Sequence, residues 1–169
     1  MMHSIEWAIE MLRDAGSVEQ IQLILKSSAR AGVNAQGVTI VRLDEGGYCH
    51  YADEDAMTPL WKGQRFPVHR CISGWAMLHG QTVVVPDIRN DDRVPQEAYR
   101  PTFVRSMVVV PIRPQSPIGA IGAYWADLHG VTAEEVATLA KLAAAADAAL
   151  ARIDRSLTEP AAVDAMSAA

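Results

Sequence analysis

The stretch Met107-Val-Val-Val-Pro-Ile-Arg-Pro-Gln-Ser-Pro-Ile-Gly-Ala-Ile-Gly-Ala-Tyr-Trp125 decides the fold, because two apolar runs lie on either side of a proline-rich turn. Residues 107–110 and 118–125 are predicted to be paired strands, with residues 111–117 as the turn region. The two glycines of the second strand indicate close packing against another element or beside a ligand. Strands joined by such a hairpin run antiparallel.

A second predicted hairpin lies nearer the N-terminus. Residues 37–43 and 48–51 are rich in β-branched and aromatic side chains, and the turn sequence Asp44-Glu-Gly-Gly47 lies between them. The region between the two hairpins is predicted, in order, as a loop (53–67), a short helix (72–78), a strand (82–85) and a long polar connection with at most a short helix (87–105).

Long helices are predicted at both ends of the chain. Residues 1–16 form an amphipathic helix, and Ser17 with Gln20 has the spacing of a capping box that starts a second helix. Thr132 with Glu135 has the same spacing at the start of the last helix. These signatures place the helices before and after the predicted strands.

This order of elements predicts an α+β fold with one antiparallel sheet and helices on its faces. We predict a single domain over residues 1–157, with its last helix over residues 132–157. The remaining residues, 158–169, carry no apolar pattern and are predicted to be disordered.

The last helix carries a heptad repeat of apolar side chains. Their spacings alternate between three and four residues, which favours a seam between supercoiled helices and hence a homodimer through the terminal helices. The alternative is a single helix packed on its own sheet, because periodicity alone does not reveal the partner surface. The seam positions are Val136, Leu139, Ala143, Ala146, Leu150, Ile153 and Leu157.

Composition narrows the function classes. The chain has 169 residues, half of them apolar and 21% charged, with a net charge of −5. An acidic balance argues against nucleic acid and anionic membrane surfaces as partners. No apolar run reaches the roughly 18 residues needed to span a bilayer, and the N-terminus does not resemble a signal peptide, so we expect a cytoplasmic protein. The two cysteines, without a CxxC motif, predict neither a disulfide scaffold nor a zinc site.

Five short segments, taken together in order and spacing, resemble GAF domains, and most of all those of bacterial sensor histidine kinases. The segments are Pro59-Leu-Trp-Lys-Gly-Gln-Arg-Phe-Pro67, Cys71-Ile-Ser-Gly-Trp-Ala-Met77, Val85-Pro-Asp-Ile88, Tyr99-Arg-Pro-Thr-Phe-Val-Arg-Ser106 and Val110-Pro-Ile112. The resemblance spans about residues 18–150. It implies a sheet of about six strands, terminal helices on one face, and short helices and loops that roof a small-molecule pocket on the other.

The chemically specialised versions of this family can be tested against the residues. Covalent bilin attachment and free-methionine-sulfoxide reduction both need a thiol before the penultimate strand, and residues 87–105 contain neither Cys nor His. Haem needs an axial ligand aimed into the pocket, and His69 and His79 are too far apart in sequence to form a helical metal pair. The Asn-Lys and Phe-x-x-x-Asp-Glu arrangement of cyclic-nucleotide-binding relatives is missing. We therefore predict no cofactor and no metal.

The resemblance also implies a polar, aromatic-edged ligand site. Arginine side chains favour carboxylate or phosphate, and tryptophan can stack on a ring or cap the cavity. Alternatively, Arg100 pairs with Asp87 or Glu97. The predicted ligand-binding residues are Trp61, Arg65, Asp87, Tyr99, Arg100, Phe103, Ser106 and Trp125.

Cys71 is a candidate redox residue. It begins the short helix, and a helix N-terminus lowers a thiol pKa. The alternative is a buried cysteine packed under the helix. Cys49, on the first hairpin, is interpreted as a small strand residue.

Three functions remain open at the level of the sequence. The favoured one is a sensory module of a two-component system, which binds a small molecule and relays the signal through its last helix to a histidine kinase or another effector. The second is a dimerisation module without ligand, and the third is a thiol redox sensor or reductase. A nucleophile with a base or a metal cluster is missing, so the domain by itself is not expected to be an enzyme.

Overall fold

A central antiparallel sheet organises the fold, which a computed structural model describes for residues 4–158, with side chains for residues 4–156. The strands are β1 (Gly37–Asp44), β2 (Tyr48–Ala56), β3 (Arg65–Pro67), β4 (Val83–Val85), β5 (Ser106–Ile112) and β6 (Gly119–Trp125). The helices are α1 (Ile5–Asp14), α2 (Val18–Gly32), α3 (Ile72–His79), α4 (Gln96–Tyr99) and α5 (Ala133–Thr158). Apart from Thr158, the predicted disordered tail lies outside the described residues.

The strand order is β3-β2-β1-β6-β5-β4, with antiparallel pairing between every two neighbours in the described residues. Both predicted hairpins are confirmed, as β1–β2 and β5–β6. The strands β1 and β6, which are farthest apart in the sequence, lie side by side in the middle of the sheet. The predicted α+β class with about six strands is therefore confirmed.

The predicted loop over residues 53–67 is wrong at both ends, because residues 65–67 form β3 and β2 continues to Ala56. Its register shifts at Ala52, which is left between the pairs Tyr51–Val41 and Asp53–Ile40. This bulge turns Asp53 towards α2, where its carboxylate pairs with the Lys26 ammonium at 2.9 Å. The acidic residues that resemble a loop in the sequence thus have charged partners on a neighbouring helix.

The terminal helices cover one face of the sheet. Ser17 and Thr132 accept backbone N–H bonds from Gln20 and Glu135, at 3.1 Å each, so the predicted helix starts are confirmed. The layer between sheet and helices is apolar and includes the fully buried Leu12 and Trp125. Burial of this layer is the main stabilising contribution on this face.

The heptad face of α5 packs against this same layer. Leu139, Ala143 and Ala146 are buried within the chain, and the remaining seam side chains that the structure describes, Val136, Leu150 and Ile153, are partly buried there. The side chain of Leu157 lies outside the described part. The predicted seam therefore serves this chain's own core, as in the alternative of a single helix packed on its own sheet.

Short helices and loops cover the opposite face. Within this cover, α3 packs closely against the segment that precedes it: a Cβ on Gly74 would lie 1.7 Å from the carbonyl oxygen of Val68. Only glycine therefore fits at this position. A second apolar layer lies between α3, α4 and the sheet, and includes Tyr124, Tyr51 and Trp61.

Candidate functional site

A cavity of about 430 Å³ opens between the sheet and its roof of short helices and loops. Its volume lies in the range of small-molecule sites, about 300–1,000 Å³. The lining residues come from β2, β3, α4 and the segments next to them, and most are apolar or aromatic. They are Tyr51, Trp61, Phe66, Pro67, Arg70, Cys71, Pro95, Glu97, Ala98 and Tyr99.

Aromatic rings in edge-to-face contact form the wall of the cavity. Trp61 is central: its ring centroid lies 4.7 Å from that of Tyr99, 5.4 Å from Tyr124 and 5.6 Å from Tyr51. Tyr51 also contacts Phe66, with centroids 5.5 Å apart. Such pairs are favourable beyond the apolar area they bury, and they limit how the rings can move.

Glu54 and a backbone carbonyl hold Trp61 in place. The Glu54 carboxylate accepts backbone N–H bonds from Leu60, Trp61 and Lys62, at 2.9, 2.9 and 2.8 Å. The indole Nε1–H of Trp61 donates to the carbonyl oxygen of Ala98 at 2.9 Å. Both the main chain and the ring of Trp61 are therefore fixed, and the ring links the β2–β3 loop to α4.

The polar atoms of the wall are paired and uncharged. The hydroxyls of Tyr51 and Ser73 share a hydrogen bond of 3.2 Å, and the Tyr99 hydroxyl donates to the Met107 sulfur at 3.4 Å. Burial raises the pKa of both tyrosines well above the ordinary value, so they remain neutral phenols. Charge in the cavity lining comes from Arg70 and Glu97, whose side chains are exposed.

Two thiols meet at the side of the cavity. Cys71, which lines it, caps α3 by accepting the Gly74 N–H at 3.3 Å, and its sulfur lies 3.1 Å from that of Cys49 on β2. Both cysteines are free and buried. The hydrogen bond between the thiols, helped by the Gly74 N–H and opposed by burial, lowers the pKa of Cys71. The same hydrogen bond and burial raise the pKa of Cys49.

Two of the predicted ligand residues line the cavity, and the others lie outside its lining. Trp61 and Tyr99 line the cavity, and Phe103 packs against the same apolar layer without lining it. Arg65 lies on the exposed edge of the sheet, where it pairs with Asp44 at 3.0 Å.

The other predicted polar residues on the roof are also outside the cavity lining. Asp87 pairs with Arg105 at 3.3 Å, and the backbone N–H of Arg89 together with Arg105 lowers the pKa of Asp87. Arg100 is exposed directly after α4. Neither Arg100 nor Arg105 lines the cavity.

Ser106 and Trp125 lie on the opposite face of the sheet, beside the connection into α5. The Ser106 hydroxyl donates to the Asp127 carbonyl at 2.8 Å and accepts the His129 N–H at 3.1 Å. Trp125 donates from Nε1 to the Asn34 carbonyl at 3.1 Å and stacks on His129, with centroids 4.2 Å apart. These two residues hold the segment that precedes the last helix.

Sequence reasoning missed several cavity residues, among them Tyr51, Phe66 and Arg70. Tyr51 follows Cys49 at strand spacing, so the alternation of the hairpin places both on one face. That alternation was a usable signal. Phe66 and Arg70 depend on the course of the following loop, which local pattern does not predict.

Two histidines, His79 and His129, already have partners. His79 stacks on Trp75, with centroids 3.9 Å apart, and His129 Nε2 lies 2.9 Å from the Glu135 carboxylate. In the part of the chain that the structure describes, no group of three or more His, Cys, Asp or Glu side chains is arranged to hold a metal ion. No helix among residues 4–158 is both long and apolar enough to cross a bilayer.

Terminal helices on one face of an antiparallel sheet and a roofed cavity on the other define a class of small α+β domains. The family model of the GAF domain matches residues 15–151, and the chain belongs to this family. GAF domains are typically sensory or regulatory. No curated protein is similar enough in sequence to count as a relative.

Solved structures share the fold at low sequence identity. Free methionine-R-sulfoxide reductase from Neisseria meningitidis, in complex with its substrate, is 19% identical with a TM-score of 0.77, covering 90% of this chain and 89% of its own. The GAF domain of a phosphoenolpyruvate-protein phosphotransferase from Coxiella burnetii is 14% identical, with a TM-score of 0.78 and coverages of 91% and 94%. A domain of a protein described as a two-component sensor histidine kinase, from Sinorhizobium meliloti, is 12% identical, with a TM-score of 0.68 and coverages of 86% and 98%.

Proposed function

We propose that this chain is a sensory module of a bacterial two-component system, which works in the cytoplasm, binds a small molecule and acts through α5 on a histidine kinase or another effector. The observation that carries the proposal is the 430 Å³ cavity with its aromatic wall. A structural domain gains no stability from an open cavity of this size, since filling it with side chains would bury more apolar surface.

The lining favours a ligand with a flat apolar or aromatic body. The wall rings are neutral, and the two charged lining residues, Arg70 and Glu97, have opposite signs. A carboxylate on the ligand would pair with Arg70 and an amine with Glu97. We therefore propose a small, dissociable and neutral or zwitterionic ligand, and no covalently attached cofactor or haem.

Adjacent residues on β6 supply a route from the cavity to α5. The ring of Tyr124 contacts Trp61 in the cavity wall, and the next residue, Trp125, stacks on His129. His129 in turn contacts Glu135 in the first turn of α5. A ligand that displaces Trp61 would shift the strand that carries both rings, and with it the start of the helix.

Ligand binding is tested by filling the cavity from α4. Ala98 lines the cavity, so Ala98→Phe places a ring in the ligand space, while Ala137→Phe places the same ring on the exposed side of α5. Native mass spectrometry of the purified protein, and a thermal-shift screen of small acids, nucleotides and aromatic amines, identify the ligand class.

We expect at least one class to raise the melting temperature of the parent and of Ala137→Phe, but not of Ala98→Phe. If no class raises it, and the purified protein carries no bound molecule, the sensory proposal fails. An equal shift in all three proteins would place the ligand elsewhere and contradict this cavity.

A second candidate function is a dimerisation module without ligand. The observation that favours it is a shallow groove of about 640 Å³ along α1 and the outer side of α5, lined by Ile9, several alanines and four basic residues. Exposed Ala148 lies in this groove. A dimer through this surface would leave the heptad face in the chain's own core.

Sedimentation velocity separates this candidate from the first. Ala148→Glu places a charge in the groove, and Ala137→Glu is the matched control elsewhere on α5. A dimeric parent that becomes monomeric only in Ala148→Glu supports association through the groove, whereas a monomeric parent excludes it. A charge at Leu150 would not test this surface, because Leu150 packs against the chain's own core.

A further inference from the structure

The two cysteines of the chain are far apart in sequence but adjacent in the fold. Cys49 lies in the middle of β2 and Cys71 at the start of α3, and their sulfur atoms are 3.1 Å apart. A disulfide has an S–S length of about 2.05 Å. The sulfurs therefore need to move together by only about 1 Å to form a bond.

We propose that Cys49 and Cys71 form a reversible disulfide when a small hydroperoxide enters the cavity. Cys71 is the residue that reacts first, since it lines the cavity, whereas Cys49 is completely buried behind it. Cys49 is the partner that closes the bond. The pair would make the cavity wall sensitive to oxidants, independently of the ligand proposed above.

The reaction is balanced with a hydroperoxide as the oxidant. The Cys71 thiol loses its proton to solvent, and the thiolate attacks the hydroxyl oxygen of the hydroperoxide. The O–O bond breaks, Cys71 becomes a sulfenic acid, and the alkoxide or hydroxide that leaves takes up a proton from solvent to give an alcohol or water. The Cys49 sulfur then attacks the Cys71 sulfur, the S–O bond breaks, and hydroxide leaves as water with the Cys49 proton. A dithiol reductant reverses the step and is itself oxidised to a disulfide.

The surroundings of the pair divide these roles between the two sulfurs. The Gly74 N–H points at the Cys71 sulfur at the N-terminus of α3, which favours a thiolate there. Cys49 has no exposed surface and stays a thiol until its neighbour is oxidised. The second step needs no rearrangement of distant elements, because the two sulfurs are already in contact.

The new bond would also change the cavity. It would tie β2 to the first residue before α3 and draw the Cys71 sulfur away from the Gly74 N–H. Since Cys71 is part of the lining, the shape of the ligand space differs between the reduced and oxidised forms. Oxidation therefore acts on the same wall that a ligand contacts.

The test measures the oxidation state of the reduced, purified chain after treatment with hydrogen peroxide. We expect an intact mass lower by two hydrogens, a peptide that joins Cys49 to Cys71, and full recovery of both thiols after reduction. In Cys49→Ser, Cys71 should stop at the sulfenic acid and be captured by dimedone. In Cys71→Ser, Cys49 should keep its thiol under the same treatment.

The wild-type chain gives the decisive result, so the test does not depend on how well the variants fold. Two free thiols after treatment, a disulfide between two chains, or oxidation of Cys71 to the sulfinic acid without a joined peptide would each overturn the proposal. Ligand binding is measured separately with Ala98→Phe. If the disulfide proposal fails, the ligand proposal is therefore unaffected, and the reverse also holds.

Discussion

Tyr124 and Trp125 are consecutive residues of β6, and each lies at the centre of a different apolar layer. Tyr124 belongs to the layer under the cavity and Trp125 to the layer under the terminal helices, and they are the two largest side chains with no more than 2% exposure. One peptide unit therefore separates the layer under the cavity from the support of α5. The same strand serves both faces because side chains alternate along it.

Trp125→Phe should loosen the start of α5. The change removes the indole N–H that donates to the Asn34 carbonyl and part of the ring that stacks on His129. We expect a loss of about 2 kcal/mol in the free energy of unfolding, together with faster amide hydrogen exchange in the first turns of α5. Unchanged exchange there, at the same loss of stability, would contradict the role of Trp125 in holding the helix.

Thr39→Val should leave the buried hydroxyl of Tyr124 without its hydrogen-bond partner and so destabilise the fold. The two hydroxyls are 2.9 Å apart, and both residues are fully buried. Valine has nearly the same shape, so the cost of about 1–3 kcal/mol comes from the unpaired phenol. In Thr39→Val combined with Tyr124→Phe, urea denaturation should show that most of this loss is recovered. Additive losses would mean that the hydroxyls do not interact.

Glu54→Ala should release Trp61 from its position in the cavity wall. The Glu54 carboxylate accepts N–H bonds from three successive residues, and hydrogen bonds to a charged group are stronger than neutral ones. We expect a loss of about 2–3 kcal/mol, with a weaker near-ultraviolet circular dichroism signal from the aromatic rings. Glu45→Ala, in the exposed β1–β2 turn, is the control and should change neither measurement.

Asp53→Asn should reduce the loss of folding stability that occurs as the pH falls into the acidic range. Burial opposes ionisation of Asp53, but the ion pairs with Lys26 and Lys62 and the N–H of Glu54 outweigh it and lower the pKa of Asp53 in the fold. A lowered folded pKa gives stability that is present above the unfolded pKa, about 3.9, and is lost as the pH falls through the folded pKa.

Unfolding measured at several pH values checks this prediction. Asp53→Asn should be less stable than the parent by about 1 kcal/mol at pH 7, and the difference should shrink below about pH 4 as Asp53 of the parent takes up a proton. If the difference in stability stayed constant down to about pH 2, it would not come from the charge of Asp53, and the prediction would be wrong.

The sequence was sufficient for those features that depend on neighbouring residues. The two hairpins and the helix starts at Ser17 and Thr132 rest on turn residues and capping spacings, which act within a few positions. The extent of β2 was missed because its acidic residues have partners, Lys26 and Arg30, that lie on α2. Local pattern contains no information about them.

The site was less predictable than the fold for the same reason. Trp61 and Tyr99 were found, but Cys49 meets Cys71 across 22 positions of sequence, a contact that no spacing rule indicates. Arg65 and Asp87 were expected at the ligand, whereas they pair with Asp44 and Arg105 outside the cavity. The sequence shows which side chains are charged but not which of them form ion pairs with each other.

The bulge at Ala52 has a consequence for relatives of this chain. In regular alternation, Asp53 and Asp55 would share a face with Cys49 and Tyr51. One extra residue in the backbone sends them to the helix layer instead. A relative with the same acidic residues but a regular strand would therefore lose their ion pairs with Lys26 and Arg30 on α2, so strand register decides the partners of these carboxylates as much as residue identity does.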